Sequence, residues 1–377
     1  MPYEAEFVTE SNGNIISHDR HLNEDGEALY RFLLSQSSTP PILRITCEGT
    51  HTEHKTRQVT RDGRTTTESY SETVTDFSFA IDVEPPLPAV HWTVADQELA
   101  YRGLMVREVQ GPLGKYRVPR PERKRHDGWS EERARKGIPP WIPDPAVNGE
   151  DLESAGTLLS SHTVRDWADM YCASPKYLKE FVFVKSLYGW NIEQLEDAIR
   201  SYIGTFYHDT VSVEIQTLRN KIYIRPDNRL SRALSNKWLK FLSIVLLIFP
   251  FIWLFKRFHH RGGGRWKVAG AAYAMKRWDT VTSPDKAEQG APPSFDAPTA
   301  KLPITPGASS SSSRDNMQTP SGPRRVVGIR EGEWFRAWQS TIAQCVTRRY
   351  ICSSKPMSSP LRDPPSAPLA AYQLDGY

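Results

Sequence analysis

The sequence predicts an α+β fold interrupted by one membrane-embedded helix, and three observations carry that prediction. Alternating apolar residues recur at 42–47, 77–83 and 211–215, the period of half-buried strands. Helical stripes stand beside them, Ile192, Leu195, Ile199 and Ile203 in one and Phe335, Trp338, Ile342 and Val346 in the other. Between these lies a run, residues 238–258, that is apolar on every side. The expected parts are a β-rich N-terminal region, a small β-α-β-β unit, one transmembrane helix, and a disordered linker and tail.

Composition narrows the classes. A chain of 377 residues has room for two folded units with connectors. A net charge of +4 is too small to indicate nucleic acid. Cys47, Cys172, Cys345 and Cys352 contain no CxxC, so neither a disulfide framework nor a thiolate zinc site is indicated. No Asn-x-Ser/Thr acceptor occurs. The first residues are acidic and lack the apolar stretch of a secretory signal, so membrane targeting is expected from inside the chain.

Residues 1–114 read as a β-rich domain around a long hairpin. Ile42 to Cys47 and Phe77 to Val83 alternate, with Asp62-Gly63 near the turn. A two-residue loop would put Ile45 and Phe79 on opposite faces. A three-residue loop, Arg61-Asp62-Gly63 with Gly63 left-handed, pairs Leu43 with Ile81, Ile45 with Phe79 and Cys47 with Phe77. Beyond Thr50 both strands turn polar, so the tip is expected to project into solvent. A helix is expected near 27–34 and another strand at 104–109.

Residues 115–150 form a basic, Pro-rich connector, with nine Lys or Arg against four acids up to residue 143. Ser130 opens a short helix in it that Gly137 closes. Residues 151–230 read as an α+β unit: a strand around Phe181-Val-Phe-Val, a helix capped by Asn191, and strands at 211–215 and 221–225. Its place before the apolar run puts it near a bilayer surface.

In the apolar run, residues 241–255 carry no charge. As a helix they reach about 22 Å, short of a hydrocarbon core near 30 Å. From Trp238 to Phe258 the reach is about 31 Å, with Lys240 and Lys256 snorkelling. Trp238, Phe241, Leu246, Pro250, Trp253 and Phe255 are the candidate anchor residues. A buried helix is the alternative, though a helix without a polar face suits it poorly. Pro250 offers a third arrangement, a bent segment that enters and leaves one leaflet. Four basic residues before the run and five after leave orientation undecided.

After the run, residues 259–278 mix bases with aromatics as a juxtamembrane segment, which an interfacial stretch or a packed strand or helix would equally satisfy. Residues 279–326 are Pro/Ser-rich and expected to be disordered. Residues 327–350 read as an amphipathic helix, and 351–377 as a disordered tail.

Motifs for catalysis are missing. His18 and His21, and His51 and His54, are HxxH pairs without the helical HExxH; on a strand, 51 and 54 face opposite ways and cannot share a metal. No GxSxG, Walker loop or strand-borne GxGxxG occurs. No catalytic, cofactor or metal residue is therefore assigned, and no cofactor is expected. Basic residues beside the run, Lys256, Arg257 and Arg261, and in the connector, Arg123, Lys124 and Arg125, are candidate contacts for anionic lipid. The alternative for the connector is a solvated linker. Nucleic acid is not expected, since only Tyr116 and Trp129 interleave aromatics with its bases.

Leu234-Ser-Asn-Lys-Trp-Leu-Lys-Phe, Phe251-Ile-Trp-Leu-Phe-Lys-Arg-Phe, Ala272-Tyr-Ala-Met-Lys-Arg-Trp and Arg330-Glu-Gly-Glu-Trp-Phe together resemble uncharacterised fungal single-pass membrane proteins. That resemblance implies a membrane location and no activity. Residues 41–83 are similar to the early strands of arrestin-like sandwiches, which fixes no function. The expected role is a membrane-anchored interaction or scaffold protein that meets membrane lipid and a protein partner. An accessory subunit or an enzyme with a site assembled from distant residues is the alternative.

Overall fold

The structure is a computed structural model that describes residues 3–61, 64–111, 114–142, 160–280, 316–319, 322–352 and 356–360. Its strands are β1 (Val8–Thr9), β2 (Ile15–Ser17), β3 (Ile42–Arg61), β4 (Arg64–Val83), β5 (Ala89–Thr93), β6 (Tyr101–Arg102), β7 (Glu108–Gly111), β8 (Gly114–Arg117), β9 (Leu178–Tyr188), β10 (Thr210–Leu218), β11 (Lys221–Ile224), β12 (Gly263–Ala274), β13 (Lys276–Thr280), β14 (Asn316–Thr319) and β15 (Gly322–Gly328). Its helices are α1 (His21–Glu24), α2 (Gly26–Ser37), α3 (Arg120–Arg135), α4 (Val164–Cys172), α5 (Ile192–Ile203), α6 (Arg229–Ser235), α7 (Lys237–Val245), α8 (Phe249–Phe258) and α9 (Glu331–Thr347). The fold is mixed α+β, as the patterning predicts.

Two sheets organise the core. The larger has the order β1-β2-β11-β9-β12-β5, with β6 on β12. Strand β9 lies inside it, and its Phe181, Val182 and Phe183 are all buried. Burial on both faces is why this strand reads as a continuous apolar run. Helices α2 and α4 cover one face: Leu29, Leu33, Trp167 and Tyr171 pack on Phe181, Phe183, Ile222 and Trp266. Thr163 and Asp166 close a reciprocal capping box at the start of α4.

The smaller sheet, β10-β3-β4, is antiparallel, and α5 and α9 cover its apolar face. Asn191 caps α5 by accepting from the Gln194 amide at 3.2 Å, as its sequence predicts. The buried carboxylate of Glu331, in the first turn of α9, accepts from the Asn191 amide at 3.0 Å and pairs with Lys276. The two helices are thereby tied start to start.

The hairpin register differs from the expected one. Arg61 pairs with Arg64, a two-residue connection, and Ile45 pairs with Ile81 and Cys47 with Phe79. A bulge between Gly49 and Thr50 reconciles this short connection with a single apolar face. It adds Asp76 to β4, so odd residues face odd residues below it. Gly49 is needed there, because a Cβ would come within 2.1 Å of the Phe77 ring. The expected left-handed Gly63 lies outside the described residues.

Other expectations change as well. The helix of the basic connector starts at Arg120 rather than Ser130, with Pro121 in its first turn, where the missing N–H costs nothing. The β-α-β-β order of 151–230 is present, but β9 and β11 join the larger sheet while β10 joins the hairpin. Of the readings open for 259–278, the packed strand is the one found: the segment contributes β12, and its Trp266, Val268, Ala271 and Tyr273 are buried. Within the expected linker, β14 and β15 pair with each other and β15 pairs with β13, while 281–315 lie outside the described residues. At the tail, Ile351 and Met357 bridge to Ser78 and Ile81 on β4; residues 361–377 lie outside the described residues.

Candidate functional site

Among the described residues, exposed large apolar side chains are concentrated in the apolar run. It leaves the larger sheet at Ile224, the end of β11, and returns at Gly263, the start of β12. Both strands flank β9, Ile224 opposite Phe181 and Gly263 opposite Leu178. The two ends of the run are therefore fixed at the same end of one sheet, two strand spacings or roughly 10 Å apart sideways.

Capping residues shape the outgoing limb. The Asn228 side chain accepts from the Ser231 amide at 2.7 Å and donates to the Tyr177 carbonyl at 2.7 Å. Asn236 then caps α7, accepting from the Trp238 amide at 3.0 Å.

The run is not one helix. Helices α7 and α8 meet at a 100° bend, and no single helix among the described residues is long and apolar enough to cross a membrane. The bend is a helix C-cap made without glycine. The amide of Ile248 donates to Ser243 O and that of Leu247 to Ile244 O, both at 3.0 Å, the paired bonds of a Schellman motif. Leu247 takes the left-handed position, φ +58°, at a cost of about 1 kcal/mol. Pro250 sits in the first turn of α8, so it starts the second helix rather than kinking a continuous one.

Trp238 is 80% exposed, Leu247 70% and Phe251 72%. Phe241, Leu246 and Trp253 are exposed too, whereas Phe255 is half-buried and stacks on His259. Phe249 and Ile252 also turn inward. The start of β12 seats the end of α8, since a Cβ on Gly263 would meet the Lys256 carbonyl at 2.8 Å.

Charged groups gather at the root of this hairpin. Glu180 pairs with Arg225 at 2.9 Å and with Arg265 at 3.2 Å. Burial alone would raise its carboxyl, but Arg225, Arg265 and Lys256 hold it below the usual carboxylate range. Arg225 also donates to Ser235 Oγ at 3.0 Å, and His18 Nε2 lies 2.9 Å from the same oxygen. Burial lowers the His18 pKa. His51 is spent elsewhere, on Asp76 at 2.6 Å.

Of the expected lipid-contact residues, Lys256, Arg257 and Arg261 lie on the return limb. Arg257 donates to the Met105 carbonyl. Arg123, Lys124 and Arg125 lie on α3, and none of the three lines the cavity at the hairpin root. Sequence reasoning missed Glu180, Arg225, Arg265 and Ser235. The one available signal was Glu180, the only carboxylate in β9, next to the apolar run Phe181-Val-Phe-Val. No protein-family model matches the chain, and no curated protein or solved structure matches it either.

Proposed function

We propose that the chain attaches to one face of a membrane through the helical hairpin 237–258, and that the folded body serves there as an interaction or scaffold protein. The carrying observation is the placement of both ends of the hairpin beside β9 in a single sheet. A straight crossing would put β11 and β12 on opposite sides of a core about 30 Å thick, which a sheet containing both forbids. A bent pair that enters and leaves one leaflet has no such conflict. Each limb, ten residues or fewer, reaches about 15 Å, half of the core.

Energetics favour insertion. Thirteen large apolar side chains between Trp238 and Phe258 are exposed. At about 1 kcal/mol each, below the full-burial value, their transfer contributes roughly 10 kcal/mol. Membrane lipid is the first partner of this reading, and a protein partner of the body the second.

The test is sidedness. Cysteines placed at Arg229 and Arg261 are labelled with a membrane-impermeant maleimide in sealed vesicles, over the background of the parent chain. Equal labelling of both, or protection of both, supports one-sided attachment. Labelling of one alone means the segment crosses, and the reading fails.

A further inference from the structure

Between α8 and the end of the larger sheet lies a cavity of about 250 Å³. Phe249, Ile252 and Trp253 make one wall apolar, and Glu180, Arg225, Lys240 and Lys256 make the other polar.

The charges around it do not balance. Glu180 is the one carboxylate in the lining, and Arg225 and Arg265 already share it. Lys240 and Lys256 bring two further charges, and neither ammonium makes a hydrogen bond or ion pair among the described residues. Lys179 also lines the cavity, but it is spent on the carbonyls of Asn23, Tyr171, Cys172 and Ser174. In the lining, with Lys179 set aside, three cations stand against one anion, an excess of two positive charges, and Arg265 adds a further one beside it. Lys256 is half-buried beside the apolar wall and Lys240 stands exposed at the mouth, an arrangement that favours an anion between them.

We propose that this cavity binds the headgroup of an anionic glycerophospholipid bearing a phosphomonoester. The inference rests on the one-sided membrane attachment proposed above. A phosphomonoester carries close to two negative charges at neutral pH and offers three acceptor oxygens. Lys240 and Lys256 are free to meet them, and Arg225, whose Nε is bonded to Glu180 and whose Nη1 is bonded to Ser235, has Nη2 left to offer. The apolar wall continues into the exposed hairpin, so acyl chains leaving the cavity run along α8 into the leaflet.

Flotation of the full-length chain tests this. Three vesicle types are compared at about 0.15 M salt: phosphatidylcholine alone, and phosphatidylcholine with phosphatidate or with phosphatidylglycerol at matched surface charge. The expected result is binding to all three, with phosphatidate preferred over phosphatidylglycerol by about tenfold. Lys240→Gln with Lys256→Gln should abolish that preference while leaving attachment to phosphatidylcholine. Arg257→Gln with Arg261→Gln, outside the cavity, should weaken both anionic vesicles equally and keep the preference. Glycerol 3-phosphate in solution should compete at millimolar concentration or not at all. Four results would overturn the site: equal binding to the two anionic vesicles, a preference that survives the lysine pair, a preference lost equally in the arginine pair, and displacement by micromolar glycerol 3-phosphate, which would assign the cavity to a soluble phosphate. No binding to any vesicle would instead sink the attachment itself.

Discussion

Helix α9 and the hairpin α7–α8 are the two Trp- and Phe-rich helical segments in the second half of the chain, and the fold treats them oppositely. Helix α9 buries Trp334, Phe335, Trp338, Ile342 and Val346 against the smaller sheet and exposes Glu333 and Gln344. The hairpin buries none of its α8 residues fully and leaves Trp238, Leu247 and Phe251 in the open. The difference is one of periodicity. A stripe of apolar residues finds a face within the chain, whereas a helix apolar all round has no polar side to leave in water. Such a segment lacks a face suited to water, and in the attachment proposed above a leaflet would cover it.

Opposite treatment predicts opposite mutational readouts, and the largest effect should come from the hairpin. Leu247→Asp with Phe251→Asp should lower vesicle binding by at least a hundredfold, since each acid in the apolar core costs about 2.5–3.5 kcal/mol. The midpoint of urea unfolding should hardly move, because neither side chain packs in the body. Phe335→Ala should do the reverse, destabilising the body by about 3–5 kcal/mol while the surviving folded fraction binds vesicles normally. A hairpin double variant that unfolds the body would mean these side chains are covered by protein, and the contrast between the two segments would collapse.

That contrast was legible in the sequence; the joints between segments were not. The stripe of α9 and the Asn191 cap of α5 are local and could be read directly. The bulge at Gly49 could not, because it answers two demands from far apart: a two-residue connection at Asp62-Gly63 and a single apolar face at Ile45 and Phe79. Strand β12 was half legible, since a packed strand was one of the readings its residues allowed. Arg265-Trp-Lys-Val alternates, but Ala269-Gly-Ala-Ala-Tyr-Ala274 does not, because that half of β12 is an interior strand between β9 and β5 and is buried on both faces. The charged root of the hairpin joins Glu180, Arg225 and Arg265, which three different strand ends bring together. Pairings of that kind follow from sheet order, which local patterning does not contain.

A smaller effect should come from the clasp at the far end of α9. Asp76, the extra residue of the bulge, is buried and accepts from Tyr207 Oη at 2.7 Å, while Arg349, just past α9, lies 3.0 Å from its other oxygen. His51 completes the cluster and is held above its ordinary pKa by its bond to Asp76. The Asp76 carboxyl is held below its ordinary value, chiefly by Tyr207. A raised histidine contributes stability that is complete below the unfolded value near 6.5 and is lost as pH rises through the folded value. Thermal midpoints should therefore fall from pH 6 to pH 8 more steeply in the parent than in His51→Asn. Parallel slopes would show that the clasp holds α9 without the imidazolium charge.

The smallest effect sharpens the comparison most, because it separates shape from apolarity within the hairpin. Leu247 holds a left-handed conformation that glycine adopts freely, so Leu247→Gly relieves about 1 kcal/mol of strain at the bend. It also removes a 70% exposed leucine from the tip, worth up to about 2 kcal/mol of transfer into a leaflet. If the leucine is there for the membrane, the variant should bind vesicles some fivefold to tenfold more weakly even though its bend is less strained. Hydrogen exchange at the Ile248 amide, which closes the Schellman turn on Ser243, should at the same time slow in solution. Weaker binding with a firmer turn would mean that the strain at Leu247 is tolerated for the sake of an apolar tip. Tighter binding would mean that the bend itself, and not the side chain at its apex, limits entry into the bilayer.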